Sequence, residues 1–423
     1  MNNFLYKLGL LFGDSGLRKR ILFIAGALVV FRIAAAIPIP GVDVVQLEQV
    51  FANNQFLGLL NVFSGSGLAT LSIVMLGVGP YITASIIMQL LTMMFPKLKA
   101  MYHEEGDAGR KRFSQYSRLL AAPLAMLQGY SLLVLLSRQG VLGTLTGFDM
   151  FVNVMVVTAG ALFLMWLGEL ISEFGMGNGV SLIIFAGIVS RIPTVASQSL
   201  VTFTQADIPM YLGFIVAAIA IIAAVVVMTE AERPIPITYA KRVRGGKMFG
   251  GVSTYLPLRL NQAGVIPIIF ALSILLFPQL IGGLLAGMAN PTLASIGSWM
   301  QANFTSGWIY SILYFVLVFL FTYFYTAVTF DPEATATNLQ KNGAFIPGVR
   351  PGMATAEHIA KILTRTTFVG ASFLAAIAVL PLAMQSVTGN AAIAIGGTSL
   401  LIVVSVVLDL IKKVDAQLSM REY

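Results

Sequence analysis

The sequence predicts an all-α membrane protein of ten transmembrane helices. Three observations carry that expectation. Of 423 residues, 57% are hydrophobic and only 10% charged, against about 25% charged in a soluble domain. Ten segments are apolar over the roughly 20 residues a helix needs to cross hydrocarbon. The basic residues fall almost entirely on one side of those segments. The same composition excludes disorder, collagen and coiled coil. Cys is absent, which removes disulfide scaffolds, thiolate catalysis and Cys-based metal sites.

In chain order the segments are 21–37, 71–95, 119–137, 152–170, 179–197, 211–229, 263–285, 308–329, 366–387 and 392–410. The first follows Arg18-Lys19-Arg20 and ends in Pro38-Ile39-Pro40-Gly41. It lacks a small-residue cleavage site and reads as a retained span, not a cleavable signal. The uncharged run 260–330 must hold two spans, broken by Asn290-Pro291 and the polar stretch 298–307. The run 366–408 divides near Thr388-Gly389-Asn390.

The chain has 26 Lys and Arg against 18 Asp and Glu, a formal charge of +8. All but three of the 26 lie in the N-terminal arm, the 2/3, 6/7 and 8/9 loops, and the C-terminal tail. The exceptions are Arg32 in span one, and Arg138 and Arg191 in opposite loops. Basic loops face the cytoplasm, so both termini are expected there. Arg32 lies near the Pro that ends span one, and snorkelling outward accounts for it.

The three basic loops are the longest polar segments. Turn signals in the 2/3 and 6/7 loops include Gly245-Gly246 and Gly250-Gly251. Segment 331–353 holds Asp331-Pro332, Asn342-Gly343 and Pro347-Gly348, which reads as an ordered, turn-rich loop. Ten spans divide five plus five, as residues 1–205 and 206–423. Two inverted halves would place a functional path at their interface.

No charge occurs between Glu48 and Lys97, a stretch too long for one span. Its Asn61-Val62-Phe63-Ser64-Gly65-Ser66-Gly67-Leu68 stub is apolar but broken by Ser and Gly. It is either a half-helix re-entering the membrane or a helix lying in the outer headgroups. Irregular backbone at membrane depth needs a cavity or protein around it.

Chemistry inside the spans is sparse. Glu169, Glu173 and Asp409 lie at inner span ends, and His103 and His358 in polar loops without a matched motif. No metal site or cofactor is expected. A secondary transporter requires an ionisable mid-membrane site, and an intramembrane enzyme requires a catalytic cluster within spans. The sequence offers neither. The remaining function is geometric: a path, a gate or a docking surface.

Seven ordered stretches then resemble the SecY family, which forms the bacterial protein-conducting channel. They are Phe31-Arg32-Ile33 with Ile37 to Gly41; Gly79-Pro80-Tyr81-Ile82 with Ala84 to Ile87; Met165-Trp166-Leu167-Gly168-Glu169 with Gly177-Asn178-Gly179; Tyr239 to Arg242; Leu256-Pro257-Leu258 with Ala263 to Pro267; Gly343 to Gly348 with Arg350-Pro351-Gly352; and Gly396 to Ile402. The resemblance covers nearly the whole length.

It implies an hourglass channel between two pseudo-symmetric halves, with a waist of six aliphatic side chains. The matching positions are Val78, Ile82, Val180, Ile184, Ile269 and Ile402. It implies that the stub from Asn61 to Leu68, within about 58–70, is a short re-entrant plug helix. It implies a lateral gate between spans two/three and seven/eight, near Ile86, Ile87, Gly264 and Pro267. Gly and Pro there serve flexing or close packing equally well. The implied partners are the subunits SecE and SecG, the SecA ATPase, the ribosome, signal peptides and unfolded client chains, and membrane lipids. Docking falls to Lys241, Arg242, Arg244, Lys247 and Arg350. The family often carries two adjacent Arg at the 6/7 tip, where this chain has Gly246-Lys247. Lys lacks the bidentate fork of Arg.

Overall fold

A computed structural model of the chain describes residues 14–419 apart from 41–63, 65–66, 69, 104, 139, 143–145, 191, 194–196, 198–207, 240–241, 245–246, 250–252, 265, 287–289, 306 and 389–390. Contacts group the chain into two units. One holds Met1–Val216, Leu272–Ser311 and Pro381–Tyr423, the other Ala217–Ala271 and Ile312–Leu380. Five helices among the described residues are long and apolar enough to cross a membrane: Gly106–Ser137, Gly147–Phe174, Ile266–Gly283, Trp308–Lys341 and Met353–Met384. The bent pair Gly79–Met94 and Pro96–Tyr102 makes a sixth if it counts as one span.

The first unit begins with α1, Ser15–Ala36. The Asp14 carboxylate caps it by accepting from the Gly16 amide at 2.7 Å. Arg32 on α1 donates to the Ser190 hydroxyl at 2.9 Å, so this charge has a protein partner as well as an exposed position.

Helix α2 runs Gly79–Met94, with Pro80 in its first turn. Here the sequence expectation of a span over 71–95 needs correction, because residues 70–78 form consecutive turns. Pro80 is tolerated in a first helical turn but would break a helix continuing through it. Gly77 adds a positive φ of 58°. The turns supply their own hydrogen bonds: Leu71 N–H to Leu68 C=O at 3.0 Å, Met75 to Ser72 at 2.9 Å, and Gly77 to Val74 at 2.8 Å. They also pair with the end of span one, where Ile39 N–H donates to Leu71 C=O at 2.8 Å and Ile73 N–H to Ile37 C=O at 2.9 Å.

Phe95 precedes Pro96, which disfavours helical backbone there. The chain bends by 116° into α3, Pro96–His103. Next comes α4, Gly106–Arg138. The turn signals expected of the 2/3 loop are thus overridden, because helix occupies most of it. Helix α5 spans Gly147–Phe174. A reciprocal capping box opens it: Thr146 Oγ1 accepts from the Asp149 amide at 3.3 Å, and the Thr146 amide donates to Asp149 Oδ2 at 3.1 Å.

The core of this unit joins the turns to α4 and α5. Leu68, Leu71 and Met75 pack with Ala125, Leu132, Leu133, Leu136, Val157 and Ala161. Gly160 on α5 is what permits the fit, since a Cβ there would collide with the Ile73 carbonyl oxygen. Gly129 on α4 is different: its Cβ would meet only the Leu76 side chain at 3.6 Å and Val157 at 3.8 Å.

Helix α6 is Gly179–Val189; in the rest of the expected 179–197 span, residues 191 and 194–196 lie outside the described residues. Helix α7 follows at Ile208–Glu230. Four strands come next: β1 Glu232–Tyr239, β2 Arg242–Arg244, β3 Lys247–Phe249 and β4 Ser253–Arg259. The remainder is α8 Ile266–Leu285, α9 Pro291–Thr305, α10 Trp308–Thr329, α11 Pro332–Lys341, β5 Ala344–Phe345, α12 Met353–Thr388 and α13 Ala391–Ser419. Helix α9 fills the stretch read as a polar break between spans seven and eight. Of the expected Thr388-Gly389-Asn390 division, Thr388 ends α12, while Gly389 and Asn390 lie outside the described residues.

The second unit carries a three-stranded sheet in the order β4-β1-β5. Strand β1 alternates, with Ile235 and Ile237 buried and Pro234 and Pro236 exposed. Strand β5 pairs only with Thr238 and Tyr239, so the two prolines need donate nothing to it. Ile235, Leu258 and Ile346 pack on Ile359 of α12.

Replacing Gly160 by Ala is expected to destabilise the protein by about 1–3 kcal/mol, the usual cost of overpacking. Gly129→Ala is expected to be neutral or stabilising by up to about 1 kcal/mol through helix propensity. Thermal unfolding of both variants in detergent checks this, and equal melting temperatures would refute it.

Candidate functional site

The aliphatic positions singled out in the sequence are placed by three local devices. Val78 caps α2 without a side-chain bond, and the Ile82 amide donates to its carbonyl at 3.0 Å. The 70–78 turns therefore set the depth of both. Val180 and Ile184 sit on α6, whose start is fixed by a tight α5–α6 reversal. Asn178 Oδ1 accepts from the Ser181 amide at 3.2 Å, and Ser172 Oγ accepts from the Gly179 amide at 2.8 Å. Gly179 touches Gly168 so closely that a Cβ would strike the Gly168 carbonyl. Ile402 sits on α13, which packs against α6.

Five of the six are at most 6% exposed: Val78, Ile82, Ile184, Ile269 and Ile402. They face protein and not the outside of their units. Val180 is half-buried, within contact distance of Gly168. Ile269 lies on α8 in the second unit. Among the described side chains no Asp, Glu, Lys, Arg or His is buried.

Of the stub residues, Ser64, Gly67 and Leu68 are described, while Asn61, Val62, Phe63, Gly65 and Ser66 lie outside the described residues. The described ones are in turns, not helix. Ser64 Oγ accepts from the Leu68 amide at 3.0 Å, and Ser72 Oγ donates to the Gly67 carbonyl at 2.9 Å. Leu68 is fully buried in the first unit's core.

At the proposed lateral gate, Ile86 and Pro267 are buried and Ile87 is half-buried. Gly264 has φ +62°, and open space surrounds its Cβ direction.

The basic loops converge more than the sequence foretold. Thr238↔Phe345 and Tyr239↔Ala344 join the 6/7 hairpin and the 8/9 segment into one sheet. At the hairpin tip Arg244 lies across from Lys247 and Arg242 across from Phe249, while Lys241 lies outside the described residues. Arg350 is exposed in a turn flanked by Gly348 at φ +82° and Gly352 at φ +98°. Its carbonyl accepts from Thr355 Oγ1 at 2.8 Å, and the turn packs through Val349 on Ile346. The segment preceding it opens with Asp331, which caps α11 by accepting from the Glu333 and Ala334 amides at 2.9 and 3.1 Å.

No ion pair was read from the sequence, and among those in the described residues one joins α4 to α5. Arg118 Nε of α4 donates to Glu169 Oε1 of α5 at 2.6 Å. Residues 51 apart carry no local signal of pairing. Arg118 also lines an open cavity of about 440 Å³ with Asp107, Arg110, Lys111, Ser114 and Gln115.

Comparison with solved structures defines the class first. The fold is that of protein-conducting channels: one such structure matches with TM-score 0.64 at 19% identity, covering 95% of this chain and 92% of its own. The Sec61 channel from a canine ribosome–channel complex matches with TM-score 0.61 at 18% identity, over 95% and 92%. The SecY family model matches residues 72–411. Protein translocase subunits SecY of Corynebacterium glutamicum and Pseudomonas aeruginosa are 40% and 42% identical, covering 97% of this chain and 97% and 93% of their own. This chain belongs to the SecY family.

Proposed function

We infer that this chain is the channel subunit of the general protein secretion machinery. It moves unfolded polypeptides across the cytoplasmic membrane of a bacterium and sideways into it. The observation that carries this reading is that no charged side chain is buried among the described residues, alongside five buried aliphatic positions in a SecY-family chain.

The mechanism follows from what such a waist can do. A narrow aliphatic constriction sheds water and blocks ions. Flexible aliphatic tips close around a passing chain whatever its sequence. A charge in the waist would bind some client segments and repel others. Val78, Ile82, Val180, Ile184, Ile269 and Ile402 form this ring in the proposal. Val at two positions leaves it slightly wider than a ring of six Ile.

The rest of the proposal follows the family. The chain crosses the membrane ten times in two inverted halves, 1–205 and 206–423, with both termini cytoplasmic. Residues of about 58–70 act as the plug. The lateral gate near Ile86, Ile87, Gly264 and Pro267 lets segments partition into lipid. That partition follows about −0.3 to −0.6 kcal/mol per large apolar residue and about +2.5 to +3.5 per central charge. SecE and SecG flank the channel. The motor SecA or a ribosome docks on the loops carrying Lys241, Arg242, Arg244, Lys247 and Arg350. Energy comes from ATP hydrolysis by SecA, from translation or from the membrane potential. The channel itself makes and breaks no bonds.

A single Cys placed at Ile82 or Ile402, in a chain that has none, is expected to crosslink to a stalled secretory polypeptide, while Cys at the exposed Leu212 is not. Equal adducts at all three positions would overturn the pore. Deleting residues 61–70 is expected to make the channel leak ions while transport persists. Planar-bilayer recordings with an intact seal would count against the plug. Arg350→Glu removes one charge-assisted contact worth about 1.5–3 kcal/mol, so docking should weaken roughly ten- to hundred-fold. Unchanged secretion rates in reconstituted vesicles would refute that role.

A further inference from the structure

Helix α9 is 15 residues long, about 22 Å, and too short to cross a bilayer. It joins α8 to α10, which on the sidedness expected from the basic loops run outward and inward. Its start is built as a helix start: Thr292 N–H and Oγ1 both donate to Asn290 Oδ1, at 3.0 and 2.9 Å, and Pro291 takes the first position.

Two contacts hold one side of α9 against the outer end of α8. Gly297 is buried where any Cβ would collide with the Ala286 backbone. Near the end of α9 the Phe304 carbonyl, otherwise an orphan, accepts from Gln279 Nε2. Position 297 meets 282–286 and position 304 meets 279, so the two segments run antiparallel.

The other side of α9 is open, and its chemistry is unusual for a water-facing surface. It carries no charge; none occurs anywhere from Leu260 to Phe330. Trp299 and Ile296 stand exposed on it, Trp299 at 57%. Trp308, at the start of α10, is 83% exposed. These are two of the three Trp in the chain. The polar side chains on this side bond to the helix itself: Ser295 Oγ to Thr292 C=O and Ser298 Oγ to Ser295 C=O, each at 2.9 Å, and Asn303 Nδ2 to Trp299 C=O at 2.8 Å. Self-satisfied hydroxyls and amides suit a layer poor in water. Indole rings favour the headgroup level of a bilayer, where one edge is apolar and the N–H is wet.

We propose that α9 is an interfacial helix, seated on the lipid of the outer leaflet through Ile296, Trp299 and Trp308. The occupant of the open face is the boundary between headgroups and acyl chains. The pore reading does not depend on it, and naming the leaflet rests on the sidedness of the basic loops. Held this way, α9 anchors the outer end of α8 at a fixed depth.

The test is tryptophan fluorescence of the full chain in vesicles, with its partner subunits where these carry no Trp. The variants W166F/W308F and W166F/W299F leave Trp299 or Trp308 alone. The expected result is blue-shifted emission, lost mostly to lipids brominated near the carbonyls and less to lipids brominated near the chain ends. Emission at the water-exposed maximum, quenched by aqueous iodide and not by bromolipid, would overturn the proposal. So would stronger quenching by the deep bromines. Replacing both indoles by Phe should leave melting in detergent unchanged and lower it in vesicles; lower melting in both would assign the rings a packing role only.

Discussion

The rule that backbone polar groups must find partners inside the membrane governs this structure more than any side-chain pair. Residues 70–78 are the clearest case. They are apolar enough to have been a helix, yet Gly77 and Pro80 keep them irregular. Their amides and carbonyls are satisfied by one another and by the Ile37–Ile39 strand-like end of span one. Such backbone must be wrapped in protein, and Gly160 gives it the room by bringing α5 against the Ile73 carbonyl. Only because the turns are held can α2 begin at Gly79, with Val78 and Ile82 at its start.

Glycine does the same work at the α5–α6 reversal. Lipid tails are as apolar as Leu, so helices in a membrane associate through close packing and not through the hydrophobic effect. Gly168 against Gly179 brings two backbones together, and Ser172 bonds to both ends of the reversal, donating to Gly168 and accepting from Gly179. Ile184 is thereby tied to the frame of the unit. The basic loops follow a different logic. In water a loop must be ordered by its own core, and the sheet over Ile235, Leu258, Ile346 and Ile359 provides one. Arg350 rises from this small core on a turn whose two glycines take conformations other residues resist.

Hydropathy reveals how apolar a stretch is and says little about its backbone. It placed α4, α5, α10 and α12 within a few turns, because each contains a long apolar run, and it missed the first turns of α4 and α12 because these carry charge, from Asp107 to Arg118 and from Glu357 to Arg365. It overextended span two, since Leu71 to Val78 is as apolar as a helix. The correcting signal was present in Gly79-Pro80, a helix-start pair. The same lesson applies to Asn290-Pro291, read as a break although Asn before Pro also spells a cap and first position. The alternation of Ile235 and Ile237 with prolines has the period of a one-sided strand, yet the 6/7 loop was read only for its turn signals. The strand's partner β5 was not legible, because two residues that lie over 100 positions away leave no periodic trace. Nor was Arg118–Glu169, whose halves looked like a loop cation and a span-end anion.

The pattern of polar satisfaction separates the parts of the chain that live in different solvents. On α10, Thr322 and Thr326 donate to the carbonyls four residues back at 2.7 Å, and Ser131 of α4 does so at 2.8 Å. A hydroxyl in hydrocarbon has no better acceptor than its own helix. On α11, by contrast, the caps and charges are exposed, with Asp331 and Glu333 at the start and Lys341 at the end, an order that suits the helix dipole in water. Helix α9 follows the first pattern along its open side despite a length and a polar content that resemble the second. A segment that hides its hydroxyls while presenting indole rings is matched to neither bulk water nor the hydrocarbon centre. The boundary between them is the one environment in which both features lower the free energy.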